Sequence, residues 1–141
     1  MSFKSTLELQ KFKIIQNSYQ GRVKINLKNL EFKQNPTLCR RETIPAKLER
    51  LINIFSLEGC RRLEPLYYIP AIIDEEVLQN ALLNSNLQPE DILKPGEPFT
   101  LNLGLEKIEY LRGLHRIEAA RQFLDAFDEW WIVNLYTNEG I

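Results

Sequence analysis

The spacing of apolar residues changes several times along this 141-residue chain, and three stretches alternate as strands do. In GRVKINLKNLEF, apolar side chains recur at every second position from Val23 to Leu27 and again at Leu30, which predicts a strand with a polar outer face. A second strand is predicted over residues 68–72, where proline at position 70 favours a sheet edge or a strand end. WWIVNLY, residues 130–136, predicts the closing strand.

Three other stretches repeat their apolar residues at intervals of three and four, the period of a helix. The first begins at Thr43, a suitable N-terminal cap, and stops at Gly59. The second follows Asp74, another capping residue. The third begins near His115 and directly follows a short apolar strand that ends at about residue 111. A turn-rich linker with at most one helical turn is predicted for residues 87–104.

Strands alternating with helices predict an α/β or α+β fold, a sheet with helices packed on it. Hydrophobic residues make up 44% of the chain and charged residues 26%, which is typical of a globular domain. We expect an N-terminal arm or short helix over residues 1–20 and a single domain over residues 21–141. That domain would be a natural fragment or the N-terminal part of a longer protein.

The charge balance and the two cysteines exclude several classes of protein. The net charge is −1, so nucleic-acid binding would require a local basic patch. Cys39 and Cys60 are too few for a disulfide scaffold, and neither has the nearby partners of a zinc site. The sequence contains no signal-peptide core and no stretch long enough to span a membrane. We therefore expect an intracellular protein, cytoplasmic or nuclear, without a membrane partner.

The most informative stretch is YLRGLHRIEAARQFL, residues 110–124. Arg112 and Gly113 fall at the junction of a strand and a helix, and His115 and Arg116 occupy the first helical turn. The free N–H groups and the positive dipole end of a helix attract anions, so this junction is a candidate phosphate or carboxylate site. The alternatives are a capping or core role for His115, a surface ion pair of Arg116 with Glu118 or Asp125, and a solvent-facing Arg112.

Two further basic pairs flank loops, with one glutamate close to each pair. The arginines are Arg40, Arg41, Arg61 and Arg62. One arginine of each pair could grip a phosphate with its forked guanidinium, or all four could be solvated surface charges. Glu42 and Glu64 are the candidate catalytic carboxylates, able to position a metal or accept a proton, and ordinary salt bridges are the alternative.

Gly113, His115 and Arg116, followed by two alanines on the next helix, resemble the signature of the ParB/sulfiredoxin superfamily. Together with EGCRRLEP, IPAII and WWIVNLY, they resemble more closely an uncharacterised fungal domain family associated with it, over roughly residues 36–136. The resemblance implies an α+β fold, a compact domain with a small mixed sheet and packed helices. It implies that the Gly-x-His-Arg turn of this fold grips the phosphates of a nucleotide. It also implies that the turn at residues 59–62 lies near the base and ribose.

Position 114 departs from both branches of this superfamily. The sulfiredoxin signature has a cysteine where this chain has Leu114, so we do not expect sulfiredoxin activity. The partition proteins carry an acidic or amide residue there and continue into helical DNA-binding segments, which are not found here after the closing strand.

Three functional hypotheses follow. The first is a module that binds ATP or CTP, with or without Mg²⁺, and acts as a switch with at most weak hydrolysis. The second is a phosphotransferase or nuclease that uses the same cradle together with Glu42 or Glu64. The third is a non-catalytic scaffold whose Trp130–Trp131 strand mediates protein contacts, including contacts between copies of the chain.

Overall fold

A computed structural model describes residues 18–32 and 43–137, which form a five-stranded mixed sheet with three helices. The strands are β1 (Tyr19–Asn26), β2 (Leu30–Phe32), β3 (Ile69–Ile73), β4 (Ile108–Tyr110) and β5 (Trp130–Thr137), and the helices are α1 (Pro45–Glu58), α2 (Glu75–Asn84) and α3 (Leu114–Phe123). The sheet order is β1-β5-β3-β4-β2. The β1–β5 and β3–β4 pairs are antiparallel, whereas β3–β5 and β2–β4 are parallel. The predicted α+β class is confirmed.

The core lies on one face of this sheet. Val133 is paired with Val23 on one side and with Ile69 on the other, so these three side chains share a face. They belong to one buried cluster that also contains helical residues: Phe55 of α1, Leu78, Ala81 and Leu82 of α2, and Ile117, Ala119 and Ala120 of α3. All three helices therefore pack on the same face, and Ile132 is buried on the opposite one.

The single strand predicted between residues 23 and 30 is broken in two. The Asn26 side chain accepts a hydrogen bond from the Lys28 N–H at 2.9 Å and caps a 3-10 turn over Leu27–Asn29. Asparagine often diverts the backbone in this way, because its side chain offers an alternative acceptor. The chain then continues as β2 at the opposite edge of the sheet. Four residues span at most about 14 Å, less than four strand spacings of about 4.8 Å, so the sheet must curl.

Helix α1 begins and ends close to its predicted limits, although its first cap differs. Its N-cap is Ile44, with no side-chain cap, so the predicted capping role of Thr43 is wrong. Gly59 ends the helix with φ of 82°, and its N–H donates to the Phe55 carbonyl at 2.8 Å. Phe55 contacts the ring of Phe123 on α3 at 5.8 Å between centroids, which joins the two helices.

Strand β3 is the central strand of the sheet, which excludes an edge position for Pro70. The strand-end alternative is the correct one, because Pro70 is the second residue of β3 and lies opposite the end of β4. The Leu111 N–H donates to the Pro70 carbonyl at 2.9 Å. In an antiparallel pair, a residue at position 70 with a backbone N–H would donate it to the Leu111 carbonyl, and proline has no such N–H. Leu111 lies just beyond β4, which ends at Tyr110. The lost hydrogen bond therefore falls outside the ladder.

The linker predicted for residues 87–104 contains one 3-10 turn, Pro89–Leu93, as expected. Its Ile92 is buried in the core. The backbone of Lys24 on β1 bonds to the Phe99 carbonyl at 2.8 Å and to the Leu101 N–H at 3.1 Å. The linker thus covers the outer edge of β1.

Helix α2 follows its predicted cap, since the Asp74 carboxylate accepts the Glu76 N–H at 2.9 Å. The predicted N-terminal arm lies outside the described residues up to position 17, and Tyr19 already belongs to β1. Among the helices of the described segments, none has the length and apolar character needed to cross a bilayer.

Candidate functional site

Gly113 makes the sharp turn from β4 into α3. It is the N-cap residue of α3 in the left-handed conformation, with φ of 94° and ψ of 22°. A β-carbon at this position would lie 2.4 Å from Cδ1 of Ile69, which is buried beneath it. Both the backbone angle and the lack of space require glycine. The first residues of α3 are therefore held tightly against the sheet.

The first turn of α3 presents N–H groups that the described part of the chain does not use. The first intrahelical bond runs from the Ile117 N–H to the Gly113 carbonyl, at 2.9 Å. Within residues 18–32 and 43–137, no hydrogen bond uses the backbone N–H groups of Leu114, His115 or Arg116. Such groups, together with the helix dipole, favour an anion.

His115 joins the beginnings of α3 and α1. Its Nε2 accepts a hydrogen bond from the Ile44 N–H at 2.9 Å. An imidazole that accepts through Nε2 is neutral and carries its proton on Nδ1. The capping alternative for His115 is therefore realised, on the neighbouring helix rather than on its own, and only Nδ1 is left to donate to a ligand.

Arg116 places its guanidinium over the ring of Tyr67, with 4.1 Å from Cζ to the ring centroid. It is half-buried, and among the described residues no hydrogen-bond acceptor or carboxylate contacts its guanidinium. Burial lowers the pKa of Arg116, although a guanidinium remains charged at neutral pH. The surface pairing with Glu118 does not occur, because Glu118 pairs with Arg121 at 2.9 Å.

Tyr67 is fixed by the buried end of the closing strand. Its carbonyl accepts a hydrogen bond from Nε1 of Trp131 at 2.9 Å, and Trp131 is fully buried in the core. The backbone of Tyr67, whose ring lies under Arg116, is therefore anchored to the core. No local sequence pattern marks Tyr67, because its contact with Arg116 links positions far apart in the chain.

Arg62 has a different environment. Its Nη1 donates to the carbonyls of Asp128 and Trp130 at 2.7 and 3.2 Å, and its Nη2 donates to the Asp128 carboxylate at 2.8 Å. The guanidinium also lies 3.5 Å from the ring centroid of Trp130, and the side chain is only 12% exposed. The hydrogen bond from Arg62 is the largest cause of the lowered pKa of Asp128. Arg62 thus ties the turn after α1 to the start of β5.

The remaining candidates do not gather around Arg116. Arg61 pairs with Glu58 at 3.2 Å on the surface. Arg112 and Glu64 are exposed, and no side-chain partner for either is found in the described segments. Arg40, Arg41 and Glu42 lie outside the described residues. Within those residues, no group of three or more His, Cys, Asp or Glu side chains is placed to hold a metal ion.

We refer to the first-turn N–H groups of residues 114–116, the Arg116 guanidinium and the Tyr67 ring as the α3 turn. Together they form a positively charged corner that can accept an anion. No curated protein and no solved structure matches this chain. The family model described as protein of unknown function (DUF3723), N-terminal domain, matches residues 18–141.

Proposed function

The chain belongs to the DUF3723 N-terminal domain family, and we propose that in this domain the α3 turn binds the phosphates of a nucleotide. ATP and CTP are the preferred ligands, each with or without Mg²⁺. The bound nucleotide changes the link between α1 and α3, so the domain acts as a switch.

Arg116 carries this proposal. Burial removes part of the water around this guanidinium, and among the described residues only the face of the Tyr67 ring replaces it. None of the described residues supplies a hydrogen-bond acceptor. A phosphate would accept two parallel hydrogen bonds from the guanidinium fork while the Tyr67 ring holds the fork in plane. The first-turn N–H groups would bind the same or an adjacent phosphate oxygen.

The choice of a nucleotide over other anions comes from the resemblance of residues 113–120 to the ParB/sulfiredoxin signature. That signature grips nucleotide phosphates, and the match includes Gly113, His115 and Arg116. Its glycine is supported independently by the left-handed backbone and the contact with Ile69.

The His115–Ile44 hydrogen bond supports the switch. A phosphate near Nδ1 favours the protonated imidazole, in which both nitrogens are donors. Nε2 could then no longer accept the Ile44 N–H. Binding would then release the start of α1, because the His115–Ile44 bond is the only hydrogen bond between the two helix beginnings in the described part of the chain.

No observation favours the enzymatic alternative. The Glu64 carbonyl accepts the Tyr67 N–H at 2.9 Å, but its exposed carboxylate has no partner in the described structure. Glu42 lies outside the described residues. Trp130 also offers little to a scaffold, because its ring is flanked by Arg62 at 3.5 Å and Lys24 at 4.8 Å.

A thermal-shift panel of ATP, CTP, GTP and UTP, each with and without Mg²⁺, tests the proposal. A nucleotide at about a hundred times its dissociation constant adds roughly 2.7 kcal/mol of stability. We expect a shift in the wild type and in Arg61→Ala, a matched surface control, and none in Arg116→Ala. Failure of every nucleotide to stabilise the wild type, or an unchanged shift in Arg116→Ala, would refute the proposal.

A further inference from the structure

An open groove lies between α3 and the edge strand β2, on the side of α3 away from its first turn. Its volume is about 710 Å³, within the usual range for small-molecule sites. Its lining residues are Leu27, Lys28, Leu30, Glu31, Phe32, Lys107, Tyr110, Glu118, Arg121 and Glu129. We refer to it as the β2 groove.

The floor of the groove is aromatic and contains one unused polar group. The rings of Phe32 and Tyr110 lie 5.2 Å apart between centroids. Tyr110 is only 1% exposed, and its hydroxyl has no hydrogen-bond partner among the described residues. Tyr110 lines the groove, and no side-chain polar atom in those residues is both fully buried and unpartnered. We infer that this hydroxyl faces the groove. Burial raises the pKa of Tyr110 to about 12, so the phenol remains a donor at neutral pH.

Arg121 lines the same groove and interacts electrostatically with the Tyr110 phenol, and part of its donor capacity is unused. A guanidinium has five N–H donors. The described residues accept three hydrogen bonds from it, one to Glu118 and one each to the carbonyls of Leu27 and Leu30, which leaves two of the five. Its charge is balanced by Glu118 at 2.9 Å. A phenol and the free side of a guanidinium are suitable donors for a carboxylate.

The groove favours a small molecule over an added peptide strand. A strand joining β2 would need free backbone acceptors at that edge. Arg121 already occupies the carbonyls of Leu27 and Leu30. Among the described residues, the groove rim carries two lysines and two glutamates, Lys28, Lys107, Glu31 and Glu129, whose charges balance.

We propose that the β2 groove binds a small aromatic carboxylate, whose carboxylate accepts hydrogen bonds from the Tyr110 hydroxyl and Arg121 and whose ring packs on Phe32. This site is separate from the α3 turn, because none of its lining residues belongs to that turn. The proposal therefore does not rest on the proposed nucleotide binding.

Titration of the ¹⁵N-labelled protein with benzoate, 1-naphthoate and indole-3-acetate, monitored by NMR, tests the proposal. The matching primary amides serve as neutral controls. We expect saturable shifts of the amide signals of Phe32, Tyr110 and Arg121 with at least one carboxylate, and much weaker shifts with its amide. Tyr110→Phe removes only the hydroxyl and should weaken binding about tenfold, the effect of one hydrogen bond to a charged group.

Two control variants make the result specific. Glu109→Gln changes an exposed residue beside Tyr110 on the same strand, and Arg116→Ala removes the guanidinium of the α3 turn. Both should bind the carboxylates as the wild type does. Absence of saturable shifts with all three carboxylates, equal affinity for the amides, or unchanged affinity in Tyr110→Phe would each overturn the proposal. The ¹H–¹⁵N spectrum of each free variant is compared with that of the wild type to check that the fold is intact.

Discussion

Arg62 and Arg116 both place a guanidinium over an aromatic ring, yet the rest of their surroundings differ. Arg62 lies on Trp130, donates to two carbonyls and pairs with Asp128. Arg116 lies on Tyr67 and finds no acceptor among the described residues. Truncating a partnered group leaves its buried partners unsatisfied, whereas truncating an unpartnered one leaves nothing behind. We infer that Arg62 contributes to stability and that Arg116 contributes to binding.

The two arginines look alike in sequence, since each lies in a basic pair or beside a glycine turn. The difference arises from contacts between distant positions, in which β5 delivers Asp128 to Arg62 and residues 65–67 deliver Tyr67 to Arg116. The presence or absence of hydrogen-bond partners for the guanidinium therefore distinguishes a structural arginine, Arg62, from a candidate binding arginine, Arg116. The predictions below test that separation, from the largest expected effect to the smallest.

Gly113→Ala should destabilise the domain by about 3 kcal/mol. Left-handed strain accounts for about 1–2 kcal/mol, and displacement of the Ile69 side chain accounts for the rest. Gly104→Ala is the matched control, because Gly104 also has positive φ, 61°, but has open space around it. We expect about 1 kcal/mol there. Urea unfolding measures both values, and equal losses would show that the contact with Ile69 is unimportant.

Arg62→Lys should lower the free energy of unfolding by about 2 kcal/mol, because a lysine keeps the charge but cannot reproduce the fork of hydrogen bonds. Arg116→Ala should change it by less than about 0.5 kcal/mol. The same urea titration compares the two variants. If Arg116→Ala costs as much as Arg62→Lys, Arg116 has a structural partner and the distinction between the two fails.

His115→Ala should cost about 1 kcal/mol, because the Ile44 N–H loses its acceptor. Hydrogen exchange of the first amides of α1 should accelerate while the core amides of β5 are unchanged. Thr43→Ala provides the control, since the Thr43 side chain does not cap this helix. Similar exchange in both variants would contradict the link between α1 and α3.

Tyr110→Phe should change stability at pH 7 by less than about 0.5 kcal/mol, since the hydroxyl has no partner in the described structure. Its effect should appear at high pH. The unfolded phenol ionises near pH 10, and the folded one only near pH 12 because of burial. The wild type therefore loses stability as pH rises from 10 to about 12. Unfolding curves of Tyr110→Phe should lack this part of the loss, and identical pH profiles would contradict the burial of the phenol.

Local signals predicted much of the fold. Asp74, Gly59 and Gly113 mark helix ends through their own backbone and side-chain chemistry, and all three were assigned correctly. The break at Asn26 was missed because the apolar alternation continues through Leu27. The central position of β3 depends on the sheet order, and its tolerance of Pro70 depends on where β4 ends; only the strand pairing shows either.

The candidate site was predictable only in part. The strand–glycine–helix junction that holds Arg116 can be read from the sequence, since its cause is local. The Tyr67 ring and the His115–Ile44 bond depend on tertiary packing. Arg62 was grouped with the phosphate contacts because its partner Asp128 is 66 positions away.

The most direct test is the dissociation constant of ATP and of CTP, measured by titration calorimetry with Mg²⁺ for the wild type, Arg116→Ala and Arg62→Lys. The account predicts that at least one nucleotide binds the wild type and Arg62→Lys with similar affinity. It predicts at least a tenfold loss in Arg116→Ala, corresponding to about 1.4 kcal/mol. Equal affinity in the wild type and Arg116→Ala, or no binding of either nucleotide to the wild type, would contradict the assignment of Arg116 to a phosphate site.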